Sequence, residues 1–263
     1  MPQIEIDGKR YDAEDGSTIL QVARKNGVRI PTLCYHPAVK PYGACRLCLV
    51  EVVDRRGRPN IVTSCSYPVS DGLVVDTSTE TVLRARRGMM ELLLARCPEN
   101  ETILALARDM GVEGTRFPKV TEAQRDCILC GLCVQMCANV IGASAISFAD
   151  RGVNRAVAAP FRDASEDCVG CGVCAAICPV GTIKLRWSDT EVEVSPFKSK
   201  VPLRRCVQCG ALLTGEPFGE MVDDKLKGKE QKHAAMLCDA CKRKNLAVTS
   251  AMLSKLAAGR SRL

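Results

Sequence analysis

Two stretches decide how this chain is read: Asp126–Ala138, DCILCGLCVQMCA, and Asp167–Pro179, DCVGCGVCAAICP. The first places Cys127, Cys130, Cys133 and Cys137 in the pattern C-x2-C-x2-C-x3-C, and the second repeats it with Cys168, Cys171, Cys174 and Cys178. A tight C-x2-C-x2-C loop turns three successive sulfurs toward one centre, which suits one face of a metal–sulfur cubane. The fourth thiolate must come from elsewhere. A pair of zinc knuckles is the competing reading, but zinc sites rarely use a C-x2-C-x2-C-x3-C-P run, and iron is preferred.

In two-cluster ferredoxins the last cysteine of each run ligates the other cluster. On that pattern Cys127, Cys130, Cys133 and Cys178 are expected to hold one [4Fe-4S] cluster, and Cys137, Cys168, Cys171 and Cys174 a second. The interleaving would tie both halves together and keep two redox centres close.

Outward from this pair, the chain has 263 residues with 17 cysteines and only 4% aromatics, enough for two or three small domains but not for one large core. The cysteines fall into four groups of four plus the isolated Cys97. The N-terminal MPQIEIDGKRYD has no apolar signal core, and no apolar stretch approaches the length of a membrane span. A cytoplasmic location is therefore expected, where reduced thiols bind metal rather than form disulfides. The net charge of +7 is uneven: residues 198–263 carry 14 Lys and Arg against 6 Asp and Glu, and the remainder sums to about zero. Such a tail could meet an acidic partner or nucleic acid, or be a solvated surface.

Near the N-terminus Ile4 and Ile6 alternate with polar residues, Asp7-Gly8 is a turn, and residues 9–11 can return as a second strand. Ser17 or Thr18 can cap a helix that turns Ile19, Val22 and Ala23 inward and stops at Asn26-Gly27. A small mixed sheet crossed by one helix follows. Cys34, Cys45, Cys48 and Cys65 then appear with spacing C-x10-C-x2-C-x16-C, around strands at Leu49–Val53 and residues 61–62. Gly43 lets the loop approach inorganic sulfide closely, and neighbouring N–H groups can donate to it. This group is read as the ligand set of a [2Fe-2S] cluster. Its first gap is wider than the plant-type C-x4-C-x2-C, and a zinc site is the weaker alternative.

With IPTLCYHP leading into PYGACRLC, the segment resembles the N-terminal ferredoxin-like domain of the NADH dehydrogenase large iron–sulfur subunit, and the matching diaphorase subunit of NAD-linked hydrogenases. The likeness continues through CILCGLCVQMC, GASAISFADRG and CPVGTI, and so covers about residues 1–187. It implies an α+β chain. The expected domains are a β-grasp [2Fe-2S] domain over 1–80, a helical connector over 81–120 and a two-[4Fe-4S] ferredoxin domain over 121–187. In the resembled family the connector usually supplies a histidine and three cysteines for an additional [4Fe-4S] cluster. Only Cys97, in LLLARCPENE, stands there in this chain, so that cluster is not expected and Cys97 is read as a buried structural thiol. Leu83, Met90, Leu93 and Leu94 should share one helix face, and Asn100 should cap a second helix bearing Ile103, Leu104, Ala107 and Met110.

Beyond Trp187, SDTEVEVSPFKSKVP reads as an exposed linker over 188–203, followed by a zinc-ribbon-like module over 204–263. Its pairs Cys206-x2-Cys209 and Cys238-x2-Cys241 suit a closed tetrahedral zinc, with a further [4Fe-4S] cluster as the alternative. An amphipathic helix is expected over 246–258, presenting Val248, Met252, Leu253 and Leu256.

Three clusters without a G-x-G-x-x-G fingerprint, a P-loop or a flavin signature describe a wire rather than a substrate site. The expected role is an electron-transfer subunit in a hetero-oligomer. Its partners would be a flavin-containing NAD(P)-linked diaphorase subunit and a second catalytic subunit. By the resemblance, that second subunit is a hydrogenase or a molybdenum- or tungsten-dependent formate or aldehyde dehydrogenase. A redox-sensing binding protein and a free multi-cluster ferredoxin are the competing classes. Nucleic acid is disfavoured because the basic tail offers only Phe197 and Phe218 for stacking.

Overall fold

The computed structural model describes residues 1–53, 57–120, 126–226 and 236–247. It resolves into two compact units: Met1–Ala158 with Cys174–Thr182, and Ala159–Val173 with Ile183–Leu263.

The first unit opens with strands β1 (Gln3–Ile6) and β2 (Lys9–Asp12), antiparallel across the Asp7-Gly8 turn. Helix α1 (Ile19–Lys25) follows. Thr18 caps it in a reciprocal box with Gln21, and the Asn26 N–H closes its last turn. Then come β3 (Leu49–Val53), β4 (Pro59–Thr63) and β5 (Leu73–Asp76). The sheet order is β2-β1-β5-β3-β4, with β1 parallel to β5 and the other pairs antiparallel. Alternation turns Ile4, Ile6, Val50, Val52 and Val75 onto the face where Ile19, Leu20, Val22 and Ala23 of α1 pack. This is the mixed sheet crossed by one helix that the pattern predicts.

Helices α2 (Glu80–Arg96) and α3 (Glu101–Asp109) form the connector, capped by Thr79 and Asn100. Met90, Leu93, Leu94, Ile103 and Ala107 are buried as expected, whereas Leu83 is 40% exposed. Val82 and Arg86 take the inward positions on that turn, because α2 rests on β3 through Arg86. A short helix α4 (Leu132–Gln135) runs into a wider π turn, Met136–Ile141, and a small hairpin joins β6 (Ser147–Ala149) to β7 (Ala156–Ala158).

The helical turn α5 (Val173–Ala176) precedes β8 (Lys184–Trp187), β9 (Glu191–Ser195), β10 (Ser199–Arg205), β11 (Leu212–Gly215) and α6 (Glu216–Lys225). In the second unit β8–β11 make an antiparallel sheet in the order β11-β10-β9-β8. Residues 188–203 are therefore not an exposed linker. The alternation in EVEVS buries Val192 and Val194, and Val201 is buried opposite them. The sequence between the two C-x2-C pairs carries β11 and the ten-residue helix α6. Arg204 on β10 holds α6 through Glu216 at 3.0 Å and Asp223 at 2.8 Å, the Glu216 bond raising its pKa most. Residues 239–247 are helical, and most of the expected 246–258 helix lies outside the described residues.

Candidate metal centres

The first group of cysteines lies in the loop between α1 and β3 and at the end of β4. Cys34, Cys45, Cys48 and Cys65 are all buried, at 2%, 4%, 1% and 1% exposure. They stand as two hydrogen-bonded pairs. The Cys34 thiol holds the Cys45 thiolate down at about 6, and Cys65 holds Cys48 at about 7, while Cys34 and Cys65 are each pushed up as the proton-bearing partner. Main-chain donors add to this: the Cys45 N–H lies 3.4 Å from the Cys34 sulfur, and N–H groups of Leu47 and Leu33 favour the Cys45 thiolate. The Ser64 hydroxyl is fully buried without a hydrogen-bond partner among the described residues, and after Cys65 it adds a smaller influence in favour of the Cys48 thiolate. Two sulfur pairs in a dry, donor-rich loop fit two irons with two thiolates each.

One positive charge stands behind this loop. Arg86 is 6% exposed, and its guanidinium donates to the Leu49 carbonyl, the Nε bond being 2.9 Å. Among the described residues it has no carboxylate at ion-pair distance. Burial lowers its pKa, and attraction to Cys48 and then Asp7 opposes that.

The second group gathers where the Asp126–Ala138 stretch meets the segment after Cys178. The Thr182 hydroxyl donates to the Asp126 carbonyl, and Asn100 Nδ2, beside its capping role, donates to the Val180 carbonyl at 2.8 Å. These bonds bring the Cys178 segment beside Cys127. Burial pushes Cys127 up, Cys130 up to about 11 and Cys133 up further, and Cys178 is among the charges acting on all three. An all-sulfur donor set, buried at Cys130 and Cys133 and half-buried at Cys127 and Cys178, in which burial disfavours ionisation of the first three thiols, fits an iron–sulfur cluster. Cys97, fully buried, is pushed up to about 12 by burial, with Cys127 the next cause.

The first two groups share surroundings. Cys34, Cys45 and Cys130 belong to one buried apolar cluster with Leu47, Met90, Leu94, Ile103 and Leu132. Over it lies a polar clamp that the sequence did not announce. The rings of Tyr42 and Phe148 stack with centroids 6.0 Å apart, and the Arg155 guanidinium sits 4.1 Å from the Phe148 ring centroid. Arg155 also donates to the Tyr42 hydroxyl at 3.1 Å, and Arg96 donates to the carbonyls of Arg155 and Cys127. Gly131, at φ +75°, leaves room for both rings: a Cβ there would lie 3.4 Å from Phe148 and 3.5 Å from Tyr42.

In the second unit, Cys206, Cys209, Cys238 and Cys241 offer sulfurs that all lie within 4.8 Å of one another. The Cys209 and Cys238 sulfurs are 3.6 Å apart. A tetrahedral ion with metal–sulfur bonds of ~2.3 Å needs sulfur edges of ~3.8 Å, whereas cubane thiolates sit on four separate irons and stand further apart. The arrangement fits a single ion. The Cys238 and Cys241 N–H groups point at sulfurs 3.3 and 3.5 Å away. The Cys238 N–H is the main cause holding Cys206 down at about 6, while the Cys209 thiol pushes Cys241 up to about 12.

Residues 2–80 match the 2Fe-2S iron-sulfur cluster binding domain and residues 126–182 the 4Fe-4S dicluster domain. An NADH-quinone oxidoreductase chain of Rhizobium meliloti is 32% identical over 207 residues, 70% of this chain and 24% of that one. The mitochondrial NADH-ubiquinone oxidoreductase 78 kDa subunit of Candida albicans is 31% identical over 205 residues, 69% of this chain and 28% of its own length. The chain thus spans under a third of these relatives. A solved chain of NAD+-reducing [NiFe]-hydrogenase is 31% identical with a TM-score of 0.59, over 68% of this chain and 85% of that one. Two ferredoxin-type domains and a shared fold over 85% of the hydrogenase chain at 31% identity place this protein. It belongs to the iron–sulfur subunit family that includes the N-terminal part of the NADH dehydrogenase large subunit and its counterpart in NAD+-reducing hydrogenase.

Proposed function

We propose that the chain is the electron-transfer subunit of a cytoplasmic multisubunit oxidoreductase. It relays single electrons between a flavin NAD(P)-linked subunit and a second catalytic subunit of hydrogenase or molybdenum/tungsten formate or aldehyde dehydrogenase type. Cys34, Cys45, Cys48 and Cys65 hold a [2Fe-2S] cluster. Cys127, Cys130, Cys133 and Cys178 hold one [4Fe-4S] cluster and Cys137, Cys168, Cys171 and Cys174 a second. Cys206, Cys209, Cys238 and Cys241 hold zinc. When bound, each cluster takes up and releases one electron without change of ligands.

The observation that carries this reading is the common burial of Cys45 and Cys130. Both lie in one apolar cluster, and Cys45 is among the charges that act on Cys130. Electron tunnelling falls off steeply with the gap between centres, so two ligand loops sharing one packed interior favour transfer between them. The residues themselves make no bond to substrate. They exclude water, aim N–H donors at sulfur and fix spacing. Among the described residues no helix is long and apolar enough to cross a membrane.

The test is iron, acid-labile sulfide and zinc content of anaerobically purified protein, with electron paramagnetic resonance during stepwise reduction. About ten iron and one zinc per chain, with one [2Fe-2S] and two [4Fe-4S] signals, is expected. Little iron and several zinc ions would overturn the electron-transfer reading.

A further inference from the structure

The matched domains end at Thr182, and residues 183–263 lie outside both. Within the second unit these residues meet the start of the second cysteine run. Residues 163–172 have no helix or strand of their own. The Ser165 N–H donates to the buried Ser199 hydroxyl of β10 at 3.3 Å, and the Gly215 N–H at the end of β11 points at the Gly170 carbonyl at 3.4 Å. Between them Gly215 packs backbone on backbone against Val169 and Gly170, and the Val201 side chain packs on Gly170. A Cβ on Gly215 would lie 2.3 Å from the Val169 carbonyl oxygen, and one on Gly170 would lie 3.0 Å from the Val201 side chain. Val169 and Gly170 separate Cys168 from Cys171, so whatever sets this pair of peptides sets the direction of both thiols.

The same two strands frame the four-cysteine site. β10 ends at Arg205, immediately before Cys206, and β11 begins three residues after Cys209. The turn between them is closed by the Cys206 N–H to the Ala211 carbonyl at 2.7 Å and the Gly210 N–H to the Cys206 carbonyl at 2.9 Å. An ion joining Cys206 and Cys209 to Cys238 and Cys241 therefore pins one end of the β10–β11 hairpin. The other end of β11 is Gly215, on the cysteine loop.

We propose that the C-terminal four-cysteine module is a brace for the Cys168–Gly172 loop, so that its ion positions the thiolates of the cluster this loop serves. This rests on the ligand reading above. The module supplies the strands against which the loop bearing Cys168 and Cys171 is set.

The test uses the full-length chain, purified anaerobically, in three forms: wild type, the double variant Cys209→Ser/Cys241→Ser, and Gly215→Ala. The last leaves all four sulfurs in place and disturbs only the contact with Val169 and Gly170. Metal content and electron paramagnetic resonance are followed in a redox titration, with the [2Fe-2S] and the other [4Fe-4S] signals as internal references. The double variant should lose zinc and drop from about ten iron to about six, with both reference signals unchanged. Gly215→Ala should keep zinc, and the same [4Fe-4S] signal should vanish or change its oxidised-to-reduced ratio about tenfold at fixed potential, 59 mV for one electron. Two unchanged [4Fe-4S] signals in either variant overturn the brace. About six iron in the wild type overturns the ligand reading beneath it.

Discussion

Replacing Arg86 with glutamine should make the [2Fe-2S] centre harder to reduce. The guanidinium is buried, attracts Cys48 and has no carboxylate partner among the described residues. Reduction adds one negative charge to the centre, so a fixed positive charge nearby favours the reduced form. For an assumed separation of ~8 Å and an effective dielectric of ~20 the interaction would be about 2 kcal/mol. With 59 mV per 1.36 kcal/mol for one electron, that is a fall of roughly 90 mV. Burial keeps salt from screening much of it.

Arg86→Lys is the control, because it keeps the charge and loses the forked grip on the Leu49 carbonyl. Its potential should stay within ~20 mV of wild type. Both variants should unfold earlier by about 1–2 kcal/mol, since each weakens a buried charge-assisted hydrogen bond. The assay is a redox titration followed by the [2Fe-2S] resonance, beside thermal unfolding of the same samples. The reasoning fails if the glutamine variant titrates with wild type, or if lysine lowers the potential as far as glutamine.

Ser64→Ala removes the hydroxyl that serves Cys48 and should lower the same potential by ~20–40 mV, taking a third of a charge-assisted hydrogen bond as redox-dependent; an unchanged titration curve excludes that role. Asn100→Ala deletes both the cap of α3 and the bond to Val180, at about 1–2 kcal/mol, and on heating the absorbance of one [4Fe-4S] cluster should fade before the [2Fe-2S] bands. At pH 7 Cys209, raised above its ordinary value, and Cys241, at about 12, carry protons, while Cys206, at about 6, mostly does not. Zinc binding there should therefore release about two to three protons, and the apparent affinity should fall as pH drops toward 6. Calorimetry in buffers of different ionisation enthalpy measures the count, and a value near zero would refute the assignment of protons.

The elements that depend on short-range chemistry were legible in the sequence. The Asp7-Gly8 turn, the Thr18 and Asn100 caps and the β3 strand stand where their residues predict. Cysteine spacing marked the candidate metal groups because ligand geometry is local. What could not be read was long-range or alternated weakly. EVEVS carries as many charges as valines, and only pairing with β10 shows that its valines face inward. Leu83 belongs to the apolar stripe by periodicity, yet the stripe is rotated because Arg86 reaches the Leu49 carbonyl 37 residues away. The Tyr42–Phe148–Arg155 clamp joins residues as many as 113 apart, with no motif to announce it.

The connector explains why the clamp and the shared interior matter together. In the resembled family this region contributes ligands to a further cluster, and here only Cys97 stands in it. Met90, Leu94, Ile103 and Ala107 fill the interior instead, and the loops bearing Cys45 and Cys130 meet in that same interior. A connector packed with aliphatic side chains holds two ligand loops at a fixed separation and keeps water from between them. Arg96 reinforces the spacing from α2, gripping the Cys127 carbonyl on one side and the Arg155 carbonyl of the clamp on the other. On the proposed ligand assignment α2 and α3 would act as a spacer, and electron transfer from the [2Fe-2S] loop to the first [4Fe-4S] loop would cross this packed interior.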